Sequence, residues 1–205
     1  RGVLEGLLNS ERRYDFRKMS TRATADILMH YLSRTVRRSA SHQATVVDTH
    51  DTVVSGGLVI PPPSLIDYMV KKTLTDARKN RTAHEILPLS IFDPACGSGT
   101  VLLAVYQQLI DTAGGSTLVF EERREILTQS VYGLDINRHA VALTRIFLVL
   151  ELLESRRAGP AGWDFSGTVL SILRDLRHTI LCGNALVGPE IVNDESWMFC
   201  PARDR

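Results

Sequence analysis

Ile91-Phe92-Asp93-Pro94-Ala95-Cys96-Gly97-Ser98-Gly99-Thr100-Val101-Leu102-Leu103 is the stretch that decides how the rest of the chain is read. An apolar run, Leu87 to Phe92, ends in Asp93, and Pro94, which cannot donate to a sheet ladder, follows at once. Gly97 and Gly99 come next, and a helical pattern opens at Thr100. The stretch predicts a buried strand, a tight turn that lets backbone come close to a ligand, and a helix start. Glycines without Cβ atoms permit the approach, and the helix start offers free N–H groups to an electron-rich group.

Spacing separates the ligand classes that use such a turn. The dinucleotide fingerprint needs a third glycine at 102, where this chain has Leu102. The phosphate loop needs a lysine, and no lysine follows Lys79. What remains is a short acidic-plus-glycine turn, with Asp93 at the strand end, suited to a cationic, amino-acid-bearing nucleotide.

Composition sets the bounds. At 205 residues the chain is long enough for one sizeable core, and 44% apolar with 23% charged residues is an ordinary globular mixture. The longest apolar candidate, Ile146 to Leu153, is broken by Glu151, so no membrane partner is expected. No apolar signal segment opens the chain and its first residue is not methionine, which reads as a cut or processed chain. Cys96, Cys182 and Cys200 are far apart and odd in number, which fits a reducing, cytoplasmic setting and argues against zinc. The histidines show no metal spacing, so no metal is expected. Net charge is +1, divided as +4 over residues 1–50 and −3 over the remainder. Arg12, Arg13, Arg17, Arg34, Arg37 and Arg38 have the charge to meet phosphates. A solvated helix face is the plainer reading of them, so if the protein handles nucleic acid its main footprint is expected elsewhere.

Periodicity gives the order of elements. Residues 1–38 read as an N-terminal helical segment with Ser20 as a cap and Ile27, Leu28, Tyr31 and Leu32 as its apolar stripe. Residues 39–57 read as a mobile loop, and residues 58–205 as an α/β domain. Within that domain a helix starts near Ser64, which with Asp67 forms a capping-box-like pair; Leu65, Ile66, Met69, Val70 and Leu74 are its buried stripe. Strands are expected at Ile86–Phe92, Val131–Leu134 and Thr179–Cys182. Helices are expected at Thr100–Ala113, Phe120–Gln129, Asn137–Glu154 and Val169–Leu176. The alternation implies parallel strands with helical crossovers, hence a doubly wound, mainly parallel sheet.

The three strands end in Asp93, Asp135 and Asn184, short acceptors placed directly after apolar runs. In open α/β sheets ligands sit outside the carboxyl ends of the strands, and a carboxylate at the second strand end holds ribose hydroxyls. Each of the three residues alone also suits a turn or a helix cap. Together they favour a nucleoside site, with Asn184 able to donate to and accept from an adenine edge.

The string Asp93-Pro94-Ala95-Cys96-Gly97-Ser98-Gly99 resembles the first motif of S-adenosylmethionine-dependent DNA adenine-N6 methyltransferases of restriction–modification type. Val131-Tyr132-Gly133-Leu134-Asp135-Ile136 resembles their second motif, and Cys182-Gly183-Asn184-Ala185-Leu186 their third, with Ala185 where many members have serine. Pro62-Pro63-Ser64-Leu65-Ile66-Asp67-Tyr68 is similar to their tenth, with Ile60 and Pro61 where tyrosine and threonine are usual. The resemblance implies a class I, Rossmann-like methyltransferase fold and S-adenosylmethionine as cofactor. It implies a cofactor site made of Asp93, Pro94, Ala95, Cys96, Gly97, Ser98, Gly99, Asp135, Ile136 and Asn184, with Asp135 on the ribose and Asn184 on the adenine. Cys96 reads as a small filler beneath the turn rather than a reactive thiol.

The catalytic motif of that family, a polar residue followed by Pro-Pro and an aromatic, does not occur in these 205 residues; the prolines at 61–63 lie between Ile60 and Ser64. No residue of the chain is therefore assigned a catalytic role, and the motif is expected to follow Arg205. The expectation is the cofactor-binding part of a longer enzyme, truncated before its catalytic motif. Double-stranded DNA would be met mainly through regions absent here, with fused or separate nuclease and specificity parts. Two other readings stand beside it: an RNA or protein amide N-methyltransferase, and a non-catalytic module that binds S-adenosylmethionine.

Overall fold

A computed structural model describes residues 19–32, 34–39, 42–48, 61–78, 89–154 and 163–186. In chain order these form helix α1 (Thr21–Leu32), strands β1 (Arg34–Arg38) and β2 (Ala44–Asp48), and helix α2 (Pro63–Arg78). Strand β3 (Ile91–Asp93) leads into helices α3 (Thr100–Ala113) and α4 (Phe120–Ser130), and strand β4 (Val131–Asp135) into helices α5 (Arg138–Glu154) and α6 (Phe165–Leu176). Strand β5 (Ile180–Cys182) is the last element.

Strands β3, β4 and β5 lie side by side and parallel, with Ile91 opposite Val131 and Gly133 opposite Ile180. Parallel neighbours require long crossovers, and the helix pairs α3–α4 and α5–α6 supply them. The strands stand in sequence order, so the reversal that makes a sheet doubly wound is not among the described residues. Alternation along the strands places Val131, Gly133 and Ile180 on the helix-covered face. Phe92 and Leu181 point the other way and are exposed.

The helices form because their apolar residues recur at helical spacing. On α5, Ala140, Thr144, Phe147, Leu148 and Leu152 are buried as the pattern predicts, while Leu150 is exposed. On α2 the buried stripe narrows to Ile66, Val70 and Leu74; Leu65 and Met69 are exposed. Arginines fasten neighbouring elements: Arg124 pairs with Asp175 at 2.6 Å to join α4 to α6, and Arg145 donates twice to the carbonyl of Ile180. Trp163 packs edge-on against Phe120 and Phe165 and donates to Thr168 Oγ1, which makes it part of a satellite cluster; Trp197 lies outside the described residues.

Several expectations need correction. Helix α2 begins at Pro63, whose missing N–H is an orphan position anyway, and the carbonyl of Pro62 accepts from Leu65 and Ile66. Ser64 therefore does not cap it, and Asp67 instead meets Arg22 of α1 at 2.6 Å. Helix α6 starts at Phe165, earlier than the apolar periodicity suggests, because Asp164 accepts from the amide of Gly167. The helical reading of residues 1–38 holds for α1, where Ser20 Oγ accepts from Ala23, and fails at β1. Part of the expected loop, Ala44–Asp48, is the second strand of an antiparallel hairpin with β1. Residues 1–18, 49–60 and 187–205 lie outside the described residues. The boundary at Arg205, after which the catalytic motif is expected, therefore falls where the structure describes nothing, and that expectation stands on the sequence alone.

At Gly133 an added Cβ would sit 2.7 Å from Leu102 Cδ1 and 3.1 Å from Cys96 Sγ, both side chains being buried. Gly133→Ala should cost about 1–3 kcal/mol through overpacking. Urea unfolding of the two proteins, compared at constant m-value, measures it.

Candidate functional site

The turn between β3 and α3 is set by two glycines in the left-handed region, Gly97 at φ 54° and Gly99 at φ 83°. Residues with a Cβ rarely take that conformation. At Gly99 the reason is spatial as well, since a Cβ would fall 2.7 Å from Thr144 Cγ2 of α5. Around Gly97 nothing lies within 4 Å of that position, so the turn opens outward there.

The three strand ends share one local device. Asp93 Oδ1 accepts from the amide of Ala95 at 3.0 Å, Asp135 Oδ1 from Asn137 at 2.8 Å, and Asn184 Oδ1 from Leu186 at 2.9 Å. Each side chain thus bends the backbone that follows it into an Asx turn. Asp135 does more: its Oδ2 accepts from the amide of Gly97 at 2.8 Å, across 38 residues of chain. Gly97 is held from its other side by Thr144 Oγ1, which donates to its carbonyl at 2.7 Å. The amide of Cys96 donates to the carbonyl of Leu134, and that of Gly183 to the carbonyl of Asp135. Backbone and side chain together thereby tie all three strand ends to one another.

A cavity of about 360 Å³ lies against this turn. One wall runs from Ile91 to Ser98, and Thr100, Val101 and Leu102 at the start of α3 continue it. The facing wall is Pro61 with Met69, Val70, Thr73 and Leu74 of α2. Among the expected site residues, Asp93, Pro94, Ala95, Cys96, Gly97 and Ser98 line the cavity. Gly99 is buried behind the turn, and Asp135, Ile136 and Asn184 lie outside the lining. Ile136 and Asn184 do not share the burial of the turn: Ile136 is exposed and Asn184 sits at the surface end of β5. The wall from α2 and the clasp from α5 lie outside the expected site residues. On α2, Met69 reads from the sequence as part of the buried stripe and Thr73 as a plain helix-surface residue, so neither residue type marks a ligand wall. Thr144 carried a signal, being the one hydroxyl in a nearly all-apolar helix face, where a buried polar group needs a partner.

Burial, opposed by the hydrogen bond from Ala95 and reinforced by the charge of Asp135, raises the Asp93 carboxyl above the usual carboxylate range. Burial first, then the charges of Asp135 and Asp93, pushes the Cys96 thiol up to about 12. Cys96 is therefore a neutral, buried filler under the turn, not a nucleophile. Asp93 is the one charged residue of a mainly apolar cavity lining and gives it an acidic, partly desolvated character, and helix α3 begins at a glycine that supplies no side-chain cap. Such a setting suits a ligand that carries a cation for Asp93 and an anion for the uncapped amides. No group of metal-ligating side chains occurs among the described residues. Among them, too, no helix is long and apolar enough to cross a membrane.

Comparison with known proteins supports a definite family. The family described as MmeI, DNA-methyltransferase domain, matches residues 70–188, more than half of the chain. The type II restriction enzyme and methyltransferase RM.Eco57I of Escherichia coli is 25% identical over 97% of this chain, which spans 21% of that protein. RM.MjaORFECS2P of Methanocaldococcus jannaschii, whose name gives the same class, is 29% identical over 51% of this chain and is covered over 9% of its length. No solved structure matches the chain.

The two glycines should respond differently to alanine. Gly97→Ala meets open space and should cost about 1–2 kcal/mol for its left-handed backbone alone. Gly99→Ala adds the clash with Thr144 and should cost about 1–3 kcal/mol more. Thr144→Ser, which removes Cγ2 and keeps the hydroxyl, should recover part of the Gly99→Ala loss and none of the Gly97→Ala loss in a double-mutant cycle read by urea unfolding.

Proposed function

The chain belongs to the MmeI DNA-methyltransferase domain family, and on that premise we propose that it is the cofactor-binding part of a restriction–modification enzyme that methylates adenine N6 in DNA. The single observation that carries the reading is the glycine turn clasped between Asp135 and Thr144 beside an acidic cavity.

The cofactor would be S-adenosylmethionine, and the residues present fit it. Its methionine end bears an ammonium and a sulfonium, which suit Asp93, and a carboxylate, which suits the uncapped amides at the start of α3. Each oxygen of Asp135 already accepts one backbone amide and keeps a further lone pair for a ribose hydroxyl. Asn184 uses Oδ1 in its own turn, which leaves its amide nitrogen for the adenine ring. Pro94, Ala95, Cys96, Gly97, Ser98 and Gly99 shape the turn, and Ile136, exposed next to Asp135, would flank the nucleoside. When bound, the cofactor supplies an electrophilic methyl group. The chain's own contribution is to fix that group's position and to keep water from the cavity wall, because transfer to an amine needs alignment more than a base.

The rest of the enzyme is proposed from the names of the two relatives, of which this chain matches about a fifth or less. It includes a nuclease, as both names say, and, by the family resemblance, the Pro-Pro-aromatic motif that these 205 residues do not contain. A Rossmann-like, doubly wound sheet belongs to the same proposal. These 205 residues should therefore bind S-adenosylmethionine without methylating duplex DNA.

Three outcomes test the reading. Asp135→Ala should weaken S-adenosylmethionine binding by roughly tenfold to a hundredfold, as expected for lost hydrogen bonds to a charged acceptor; unchanged calorimetric affinity counts against it. A bound cation favours ionised Asp93, so calorimetric affinity should be level between the raised Asp93 pKa and the pH at which the ligand's own ammonium titrates, and fall as pH drops through the former. Asp93→Asn, which keeps an acceptor for Ala95, should flatten that profile and weaken binding at neutral pH. The same change should stabilise the ligand-free fold at neutral pH, because an acid raised in the folded state opposes folding once pH exceeds its unfolded value.

A further inference from the structure

Strands β1 and β2 form an antiparallel hairpin in full register, from Arg34 opposite Asp48 to Arg38 opposite Ala44. It is closed by Ser39 and Gln43, whose backbone groups bond at 2.8 Å, and by His42 in the left-handed region at φ 62°. Apart from the contact of β1 with α1, no sheet or helix packs on it extensively among the described residues. Val36 and Val46, directly opposite each other, are 67% and 65% exposed, so the face of the hairpin that they share is not buried. Its charge is one-sided: Arg34, Arg37 and Arg38 against Asp48.

We infer that this hairpin is a contact arm for the sugar–phosphate backbone of double-stranded DNA, gripping it without regard to base sequence. The inference rests on the DNA-methyltransferase reading for its ligand class, and on the hairpin itself for the place of contact. Arg37 and Arg38 are consecutive on a strand, so their side chains leave opposite faces of the ribbon. Both are exposed, and neither has an ion-pair partner among the described residues. Positive charge on both faces is wasted on a flat partner but suits a ribbon lying between two walls of phosphate. A two-stranded ribbon fits the major groove, about 12 Å wide, which has such walls. Thr45 bonds back to the carbonyl of Arg37 and Ala44 is small, so the strand opposite the arginines offers little for reading base edges. Phosphate contact is the use left to the element.

The test is duplex binding by fluorescence anisotropy, with the complete chain, over a salt series from about 0.05 to 0.2 M. Arg37→Ala with Arg38→Ala should lower the slope of log affinity against log salt by about two and weaken binding roughly tenfold or more at the low-salt end. Arg37→Lys with Arg38→Lys should retain most of the slope, because the point charges remain. The unfolding midpoint should stay the same in both variants. An unchanged slope in the alanine variant, or no duplex binding by the wild-type chain, overturns the inference. So does a loss of self-association in Val36→Ser with Val46→Ser, seen by sedimentation, when the arginine variants leave DNA binding intact; the hairpin would then serve a second copy of the chain. S-adenosylmethionine calorimetry runs alongside. If wild-type chain fails to bind the cofactor yet the slope still falls in the alanine variant, the proposed function is lost and the contact arm stands.

Discussion

A backbone amide held by a carboxylate from the neighbouring strand is the constraint on which this structure turns. Gly97 donates to Asp135, and Thr144 donates to the Gly97 carbonyl, so one peptide on each side of a glycine is fixed by groups on β4 and α5. Left alone, a glycine turn is the most mobile kind of backbone, since glycine loses the most freedom on ordering. The two bonds convert it into a wall with a set curvature, and the missing Cβ at Gly97 keeps the inner surface of that wall open. The strand order matters for the same reason. Asp135 reaches Gly97 because β4 lies directly beside β3, in register at Gly133 and Asp93.

The same arrangement explains the electrostatics. Two carboxylates converge on one short turn, and at Asp93 the repulsion from Asp135 adds to the larger effect of burial. Alone, that is a local strain in charge that a purely structural turn would have no use for. It becomes useful if a cation enters, because the ligand then relieves an interaction already present in the empty fold. Asp135 is held differently, for both its oxygens are met by backbone amides. The two acids thus differ in kind. One is a fixed bracket with lone pairs to spare, and the other is a poised charge at the cavity wall.

How much of this was legible in the sequence follows from where each signal resides. Helix α3 was read with its correct bounds because Gly97 and Gly99 open it and Gly114 closes it, and such punctuation is local. The bond from Gly97 to Asp135 was not readable, as it spans 38 residues and depends on strand adjacency. Helix α6 was begun too late because its first turn is held by Asp164 and exposes Phe165, so apolar periodicity is silent there. The hairpin was missed for a related reason. Alternation marks a strand when one face is buried, and Val36 and Val46 are both exposed, so nothing in the pattern sets them apart from loop or helix surface.

That silence also says what kind of element the hairpin is. A five-residue pair of strands that leaves the Val36–Val46 face exposed contributes little to the stability of the fold, since an isolated two-stranded hairpin is marginal in water. Its sequence is therefore free of the demands that packing places on α3, α5 or β4. Where packing does not dictate, composition reflects some other pressure, and here that composition is three arginines in five residues with charge on both faces. The chain thus divides into a part specified by burial, which carries the clasped turn and its cavity, and a part specified by charge, which stands apart from it. A domain that must hold a small cationic nucleoside and also meet a polyanion needs both signs of field, kept away from each other. An acidic cavity in the α/β body and a basic ribbon outside it satisfy that requirement within one short chain.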